Sequence, residues 1–148
     1  MMTRALRSSA LLALALILLA CSDKKDPIAP IDPVKDASFR AEDKYGALKF
    51  TTSDGETTDW LAEGAKFTID LAGDGTTTGR LFIPGMEEDG SDFDADLAGT
   101  WTLKGDTVRF THEADTFVRD MPFLVRTNKL EGEHTFDGTK IQVTLVKK

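Results

Sequence analysis

From residue 47 onward, apolar and polar side chains alternate with a period of two in short runs separated by turn residues. That alternation belongs to strands with one buried and one solvated face. It predicts strands at 47–52 (ALKFTT), 66–71 (KFTIDL), 78–83 (TGRLFI), 99–105 (GTWTLKG), 107–113 (TVRFTHE), 123–128 (FLVRTN), 129–136 (KLEGEHTF) and 140–148 (KIQVTLVKK). Gly-Asp-Gly at 73–75, Gly105-Asp106, Asn128-Lys129 and Asp137-Gly138 fall between these runs and suit hairpin turns. Phe67, Ile69 and Leu71 share one face, as do Trp101 with Leu103, Val108 with Phe110, and Ile141 with Val143 and Leu145. Lys66, Thr68, Asp70, Thr102, Arg109, Gln142 and Thr144 take the other. No long stripe of period 3.6 occurs; one helical turn is predicted at 57–63 (TTDWLAE), with Thr57 or Thr58 as cap and Gly64 as stop. Trp60 and Leu61 would then plug one end of the fold. The expectation is an all-β domain, an eight-stranded antiparallel meander closed into a barrel, because closure removes exposed edges. A two-sheet β-sandwich is the alternative.

The first 36 residues have a different texture. Arg4 and Arg7 precede an apolar run of 11 residues at 10–20. A membrane-spanning helix needs about 20 such residues, so this run has the length of a signal-peptide core instead. It ends on Leu18-Leu19-Ala20-Cys21, which resembles the bacterial lipobox, and Cys21 is the only cysteine. The resemblance implies a lipoprotein signal peptide at 1–20, cleavage before Cys21, and acyl chains, palmitate among them, on Cys21 as the membrane anchor. An unmodified signal peptide or an uncleaved signal anchor is the alternative. Two or three chains hold a protein stably where one does not. A lipidated Cys21 leaves no thiol for a disulfide, a metal or nucleophilic chemistry. Residues 22–36 (SDKKDPIAPIDPVKD) hold three of the five prolines and seven charges, and they read with Cys21 as an extended tether. Within the lipoprotein family, Ser22 rather than aspartate after the cysteine implies an outer-membrane address, facing the periplasm, in a Gram-negative host. The domain proper is expected at 37–148.

A third resemblance-bearing feature lies in the domain. Eight meandering strands, a short helix and Gly99-Thr100-Trp101 together resemble the lipocalin-like, or calycin, barrels. In true lipocalins Gly-x-Trp opens the first strand, whereas here it opens about the fourth; small lipocalin-like domains on bacterial lipoproteins are the closer likeness. The resemblance implies a barrel more than it implies any ligand.

Charge and chemistry narrow the function further. Removing Arg4 and Arg7 from the 18 basic side chains leaves 16 against 25 acidic ones, a formal charge of −9. No basic patch is visible, so neither nucleic acid nor a polybasic grip on anionic lipid is expected. The densest acidic run, 87–96 (EEDGSDFDAD), has six carboxylates. Asp92, Asp94 and Asp96 match the first positions of a calcium loop, but Leu97 and Leu103 stand where it needs glycine and glutamate. Phe93, Ala95 and Leu97 alternate with the aspartates, which fits a strand with a solvated acidic face. No metal site and no cofactor are expected. Residues 112–123 (HEADTFVRDMPF) read as a long connection in which Asp115 caps a turn and pairs with Arg119 at i,i+4, while Phe117 and Met121 fold back on the core. At a barrel mouth the same run would offer Arg119 as a clamp for an anionic group. By strand parity His134 sits with Leu130 and Phe136 and is expected to point inward. No Gly-x-Ser-x-Gly, phosphate loop or zinc spacing occurs, so an enzyme is not expected.

The leading expectation is a non-enzymatic binding module, anchored to a bacterial membrane, that takes a small apolar or amphipathic ligand in its interior or mouth. Its candidate ligand-binding residues are Trp101, Phe110, Phe123, His134 and Arg119, and a monomer is assumed. Small barrels also exist with their interiors filled. The alternative is therefore a structural or interaction domain of the envelope, with a partner on its outer face near Phe82.

Overall fold

The computed structural model of the chain describes residues 33–41 and 48–148. The signal segment, Cys21 and the tether as far as residue 32 lie outside the described residues. Among the described residues eleven strands form: β1 Ala37–Ala41, β2 Leu48–Thr51, β3 Thr57–Asp59, β4 Lys66–Leu71, β5 Thr76–Ile83, β6 Phe93–Asp96, β7 Gly99–Lys104, β8 Thr107–His112, β9 Phe123–Arg126, β10 Lys129–Phe136 and β11 Thr139–Lys147. One short helix, α1 Phe117–Asp120, lies between β8 and β9. Eight strands pair in the order β1-β4-β5-β7-β8-β9-β10-β11, and β11 returns to β1 through Phe39↔Lys147, Arg40↔Val146 and Ala41↔Leu145. Every pairing is antiparallel, and the ring is a closed barrel. The all-β barrel expectation holds, and the sandwich alternative does not.

Alternation supplies the core. Phe67, Ile69 and Leu71 of β4, Val108 and Phe110 of β8, and Ile141, Val143 and Leu145 of β11 are all buried, with Lys66, Thr68 and Asp70 outside. Tight hairpins hold the register. Phe136 pairs with Thr139 across Asp137-Gly138, both at positive φ (46° and 81°), the mirror-image turn whose twist matches that of the strands.

Three local expectations are corrected. Within the run predicted at 47–52, Leu48–Thr51 form β2, but the ring member beside β4 is β1, ASFRA, which the periodicity did not predict. The two share one edge of β11, β2 along 140–143 and β1 along 145–147. No helix forms at 57–63: Thr57, Thr58 and Asp59 make β3, and a turn follows with Gly64 at φ +99°. β-branched Thr57 and Thr58 are served better by pairing with Thr51 and Phe50, with the Thr51 and Thr57 hydroxyls 2.9 Å apart. The short helix lies late in the chain instead, at Phe117–Asp120. The third correction concerns Pro33–Asp36, assigned to the tether. Val34 is only 1% exposed, the Gly73 N–H donates to Asp36 Oδ1 at 2.6 Å, and Lys147 Nζ donates to the Pro33 carbonyl at 3.0 Å. These residues belong to the barrel, because one valine and a bend at Asp36 (φ +54°) suffice to cover its end.

The interior is filled. Phe67, Phe123, Leu48, Ile69, Leu81, Ile83, Leu97, Met121, Leu130 and Leu145 are each under 2% exposed and belong to one cluster. Gly132 is part of that packing: a Cβ there would run into Met121 Sδ and lie 2.9 Å from Phe123 Cε1. The missing side chain is the space those two occupy.

Candidate functional site

The barrel has two unlike ends. One carries the short turns 72–75, 105–106 and 127–128 and is sewn shut by the backbone. There the Trp101 Nε1–H donates to the Ala72 carbonyl at 2.9 Å, and the Trp101 N–H donates to Gly75 O. Val125 N donates to Asp106 O, Lys147 N to Asn128 O, and Lys148 N to Ser38 O. Val34 covers this end from below.

The opposite end, the mouth, carries the longer connections 60–65, 84–92 and 113–122, and side chains close it. Phe50 packs edge-on against Trp60 (centroids 5.9 Å apart) and against Phe117 (5.5 Å). Leu61 and Val118 are buried beside them. Above this floor lies an open cleft of about 280 Å³ lined by Met86, Phe93, Asp115, Thr116, Phe117, Asp120, Phe136 and Ile141. Phe93, Phe117 and Phe136 are each half-buried, and Met86 is one of two large apolar side chains left exposed among the described residues.

α1 sets the wall of this cleft. Thr116, buried, precedes the helix, and its hydroxyl lies 2.8 Å from His112 Nε2 at the end of β8. The other ring nitrogen, Nδ1, is enclosed without a partner. Burial, and then the neighbouring Arg119, hold the imidazole below its usual pKa, with Asp120 opposing. Arg119 faces outward from α1 and donates Nη2 to Asp115 Oδ1 at 2.7 Å and, more loosely, to Asp120 Oδ2 at 3.4 Å. The i,i+4 pair read from the sequence is present, and Met121 and Phe117 do fold back on the core. The acidic run also forms its strand, β6, paired with β5; Arg80 Nε donates to Asp94 Oδ1 at 2.7 Å. Arg80 is the main reason that carboxylate lies below its usual pKa.

The five candidate ligand residues do not converge. Phe110 and Phe123 stack edge-on at 5.2 Å, but both are sealed in the core. Trp101 is 9% exposed at the far, closed end. Arg119 stands at the mouth rim, occupied by its two aspartates. His134 is not inward and buried as parity implied: it is exposed, with its ring 4.5 Å from that of Phe136. It keeps the predicted face, but β9 pairs with β10 only as far as Gly132, so residues 133–136 project past the packed interior.

The cleft residues Met86, Phe93, Phe136 and Ile141 were missed because they are unremarkable core-type residues at strand ends and in one loop. Their common signal was position beside the long connections, which matters only once the ring is closed. Phe82, named for an outer interaction face, does lie outside, half-buried, beside Lys66, Thr68 and Arg80 in a second open groove of about 260 Å³. Among the described residues no group of three or more His, Cys, Asp or Glu side chains is placed to hold a metal ion. The chain matches no protein-family model, no curated protein and no solved structure.

Proposed function

We propose that the protein is a lipid-anchored envelope lipoprotein whose barrel is a non-enzymatic binding module, working at its mouth rather than in its interior. The observation that carries this reading is the 280 Å³ cleft walled by Phe93, Phe117, Phe136, Ile141 and Met86 over a filled core. Ligand sites are concave, mostly apolar, and carry a few polar groups that orient the guest. This cleft has that character at a volume just below the usual range, enough for one ring or a short alkyl segment. The bound molecule is accordingly small and amphipathic, with its polar part left in water beside Asp115 and Asp120. The anchor rests on Leu18-Leu19-Ala20-Cys21, and the outer-membrane, periplasm-facing address on Ser22.

Native mass spectrometry of the domain purified from its host tests the module, together with titration of an environment-sensitive apolar dye. A co-purified small molecule, or saturable dye binding that is abolished in Phe117→Ala/Phe136→Ala, is expected. Neither appearing would refute binding at the mouth. Palmitate labelling that disappears in Cys21→Ala is the expected result for the anchor, and persistent labelling would refute it.

The second reading is an interaction domain with a partner on the outer face. The filled interior and the outward Phe82, flanked by Lys66 and Arg80, favour it. Cross-linking from position 82 in the envelope, with no ligand at the mouth, would establish that reading in place of the first.

A further inference from the structure

The mouth cleft pairs two features that act on the same kind of guest. Its walls present three phenylalanine rings, Phe93, Phe117 and Phe136, and its rim presents two carboxylates, Asp115 and Asp120. The lining contains no lysine or arginine. Arg119, the one base of α1, donates to both aspartates, so one guanidinium offsets two carboxylates and leaves one formal negative charge. Asp120 is the looser partner, with both contacts to Arg119 at 3.4 Å and its side chain 52% exposed, so it retains acceptor capacity on the cleft side. The chain leading away from Met86 adds Glu87, Glu88 and Asp89 and no base. An aromatic wall attracts a cation through the negative faces of its rings, and a partly shielded carboxylate attracts it through charge. A neutral guest feels only the apolar term, and an anionic one is repelled.

We infer that the mouth cleft is selective for amphipathic cations, alkyl- or aryl-ammonium compounds whose apolar body lies against Phe117 and Phe136 and whose ammonium faces Asp120. The inference rests on the reading of the mouth as the binding site and adds the charge class of the ligand. It also reverses the expectation that Arg119 serves as an anion clamp: its guanidinium is taken up in shaping the rim.

The test compares three probes of matched size, 2-phenylethylammonium, 2-phenylethanol and phenylacetate, titrated into the domain while the amide and aromatic signals of Phe93, Phe117 and Phe136 are followed by NMR. The cation is expected to bind about tenfold more tightly than the anion, the sum of one modest attraction and one modest repulsion at a half-exposed site, with the alcohol between. The preference should shrink as salt is raised. Asp120→Asn should bring the cation to within about twofold of the alcohol and leave the alcohol unchanged. Asp115→Asn, further out, should show a smaller loss in the same direction. Equal binding of all three probes at these rings would overturn the charge selectivity and leave the mouth site standing. Failure of all three to shift these signals would overturn both.

Discussion

The two ends of this barrel solve one problem by different means. At the closed end, short turns are cross-bonded through the backbone, and Trp101 and Val34 seal the interior. At the mouth the connections are longer, and the interior is covered by aromatic side chains, with α1 held to β8 through the contact between Thr116 and His112. Main-chain hydrogen bonds resist replacement of single side chains, whereas a lid made of side chains can vary its chemistry without breaking the ring. The mouth is therefore where binding can be tuned, in keeping with the general placement of function on loops held by a rigid scaffold. The closed end should behave as part of the global fold, the mouth as a locally opening cap.

The sharpest challenge to that contrast replaces one aromatic residue at each end. Trp101→Ala should cost about 3–5 kcal/mol in urea unfolding, since it empties buried volume and removes one of the two hydrogen bonds that the Ala72 carbonyl accepts. Phe117→Ala, half-exposed, should cost about 1–2 kcal/mol. Equal losses would erase the distinction between scaffold and cap. Gly132→Ala probes the packed middle between the two ends: the added methyl displaces Met121 or Phe123, for an expected loss of about 1–3 kcal/mol in the same assay. Val34→Ala then asks whether the residues ahead of β1 truly seal the closed end. Loss of two buried methyl groups should remove about 1.5 kcal/mol, where a free tether would give none.

A gentler probe is pH. His112 is held below its usual pKa in the folded state, so the unfolded chain binds more protons between that lowered value and the ordinary one of about 6.5. Its stabilising contribution is complete above the ordinary value and is lost as the pH falls through that window. Urea midpoints should decline from pH 8 to pH 5, with amide exchange rising first over 116–121, and His112→Gln should flatten both trends. Arg119 and Asp120 are the charged groups beside the ring, and a trend surviving in His112→Gln would assign the effect to other groups. The smallest change is expected from Arg119→Ala. An exposed i,i+4 pair contributes at most about 0.5 kcal/mol, so the unfolding midpoint should barely move.

Much of this fold was legible beforehand. The runs KFTIDL and KLEGEHTF became β4 and β10 with the bounds read from alternation, because each strand needs one wet and one dry face wherever it sits. Asp137-Gly138 announced its hairpin because few residue pairs tolerate two successive positive φ values. β1 was illegible because Ala-Ser-Phe-Arg-Ala carries one large apolar residue, and its place in the ring comes from β4 and β11 on either side. The turn at 57–63 was misread because Thr-Thr-Asp is a fair helix start in isolation and a better strand beside Phe50 and Thr51. At the site, 112–123 was read as a long connection, and Arg119 with Asp115 was paired correctly. Of the aromatic candidates, Phe110 and Phe123 went into the core rather than to the mouth, because both stand at inward positions of their strands.

What the chain determined alone was local: which positions face inward and where it turns. Those follow from backbone geometry and period-two burial, which act over a few residues. Only the tertiary structure decided that the interior is full, that His134 lies past the packed volume, and that Phe93, Phe117 and Phe136 meet with Asp115 and Asp120 around one cleft. Those outcomes depend on how far each strand runs beyond its neighbours and on which side chains claim a shared volume. Both are properties of the closed ring, and no short stretch of the sequence contains them.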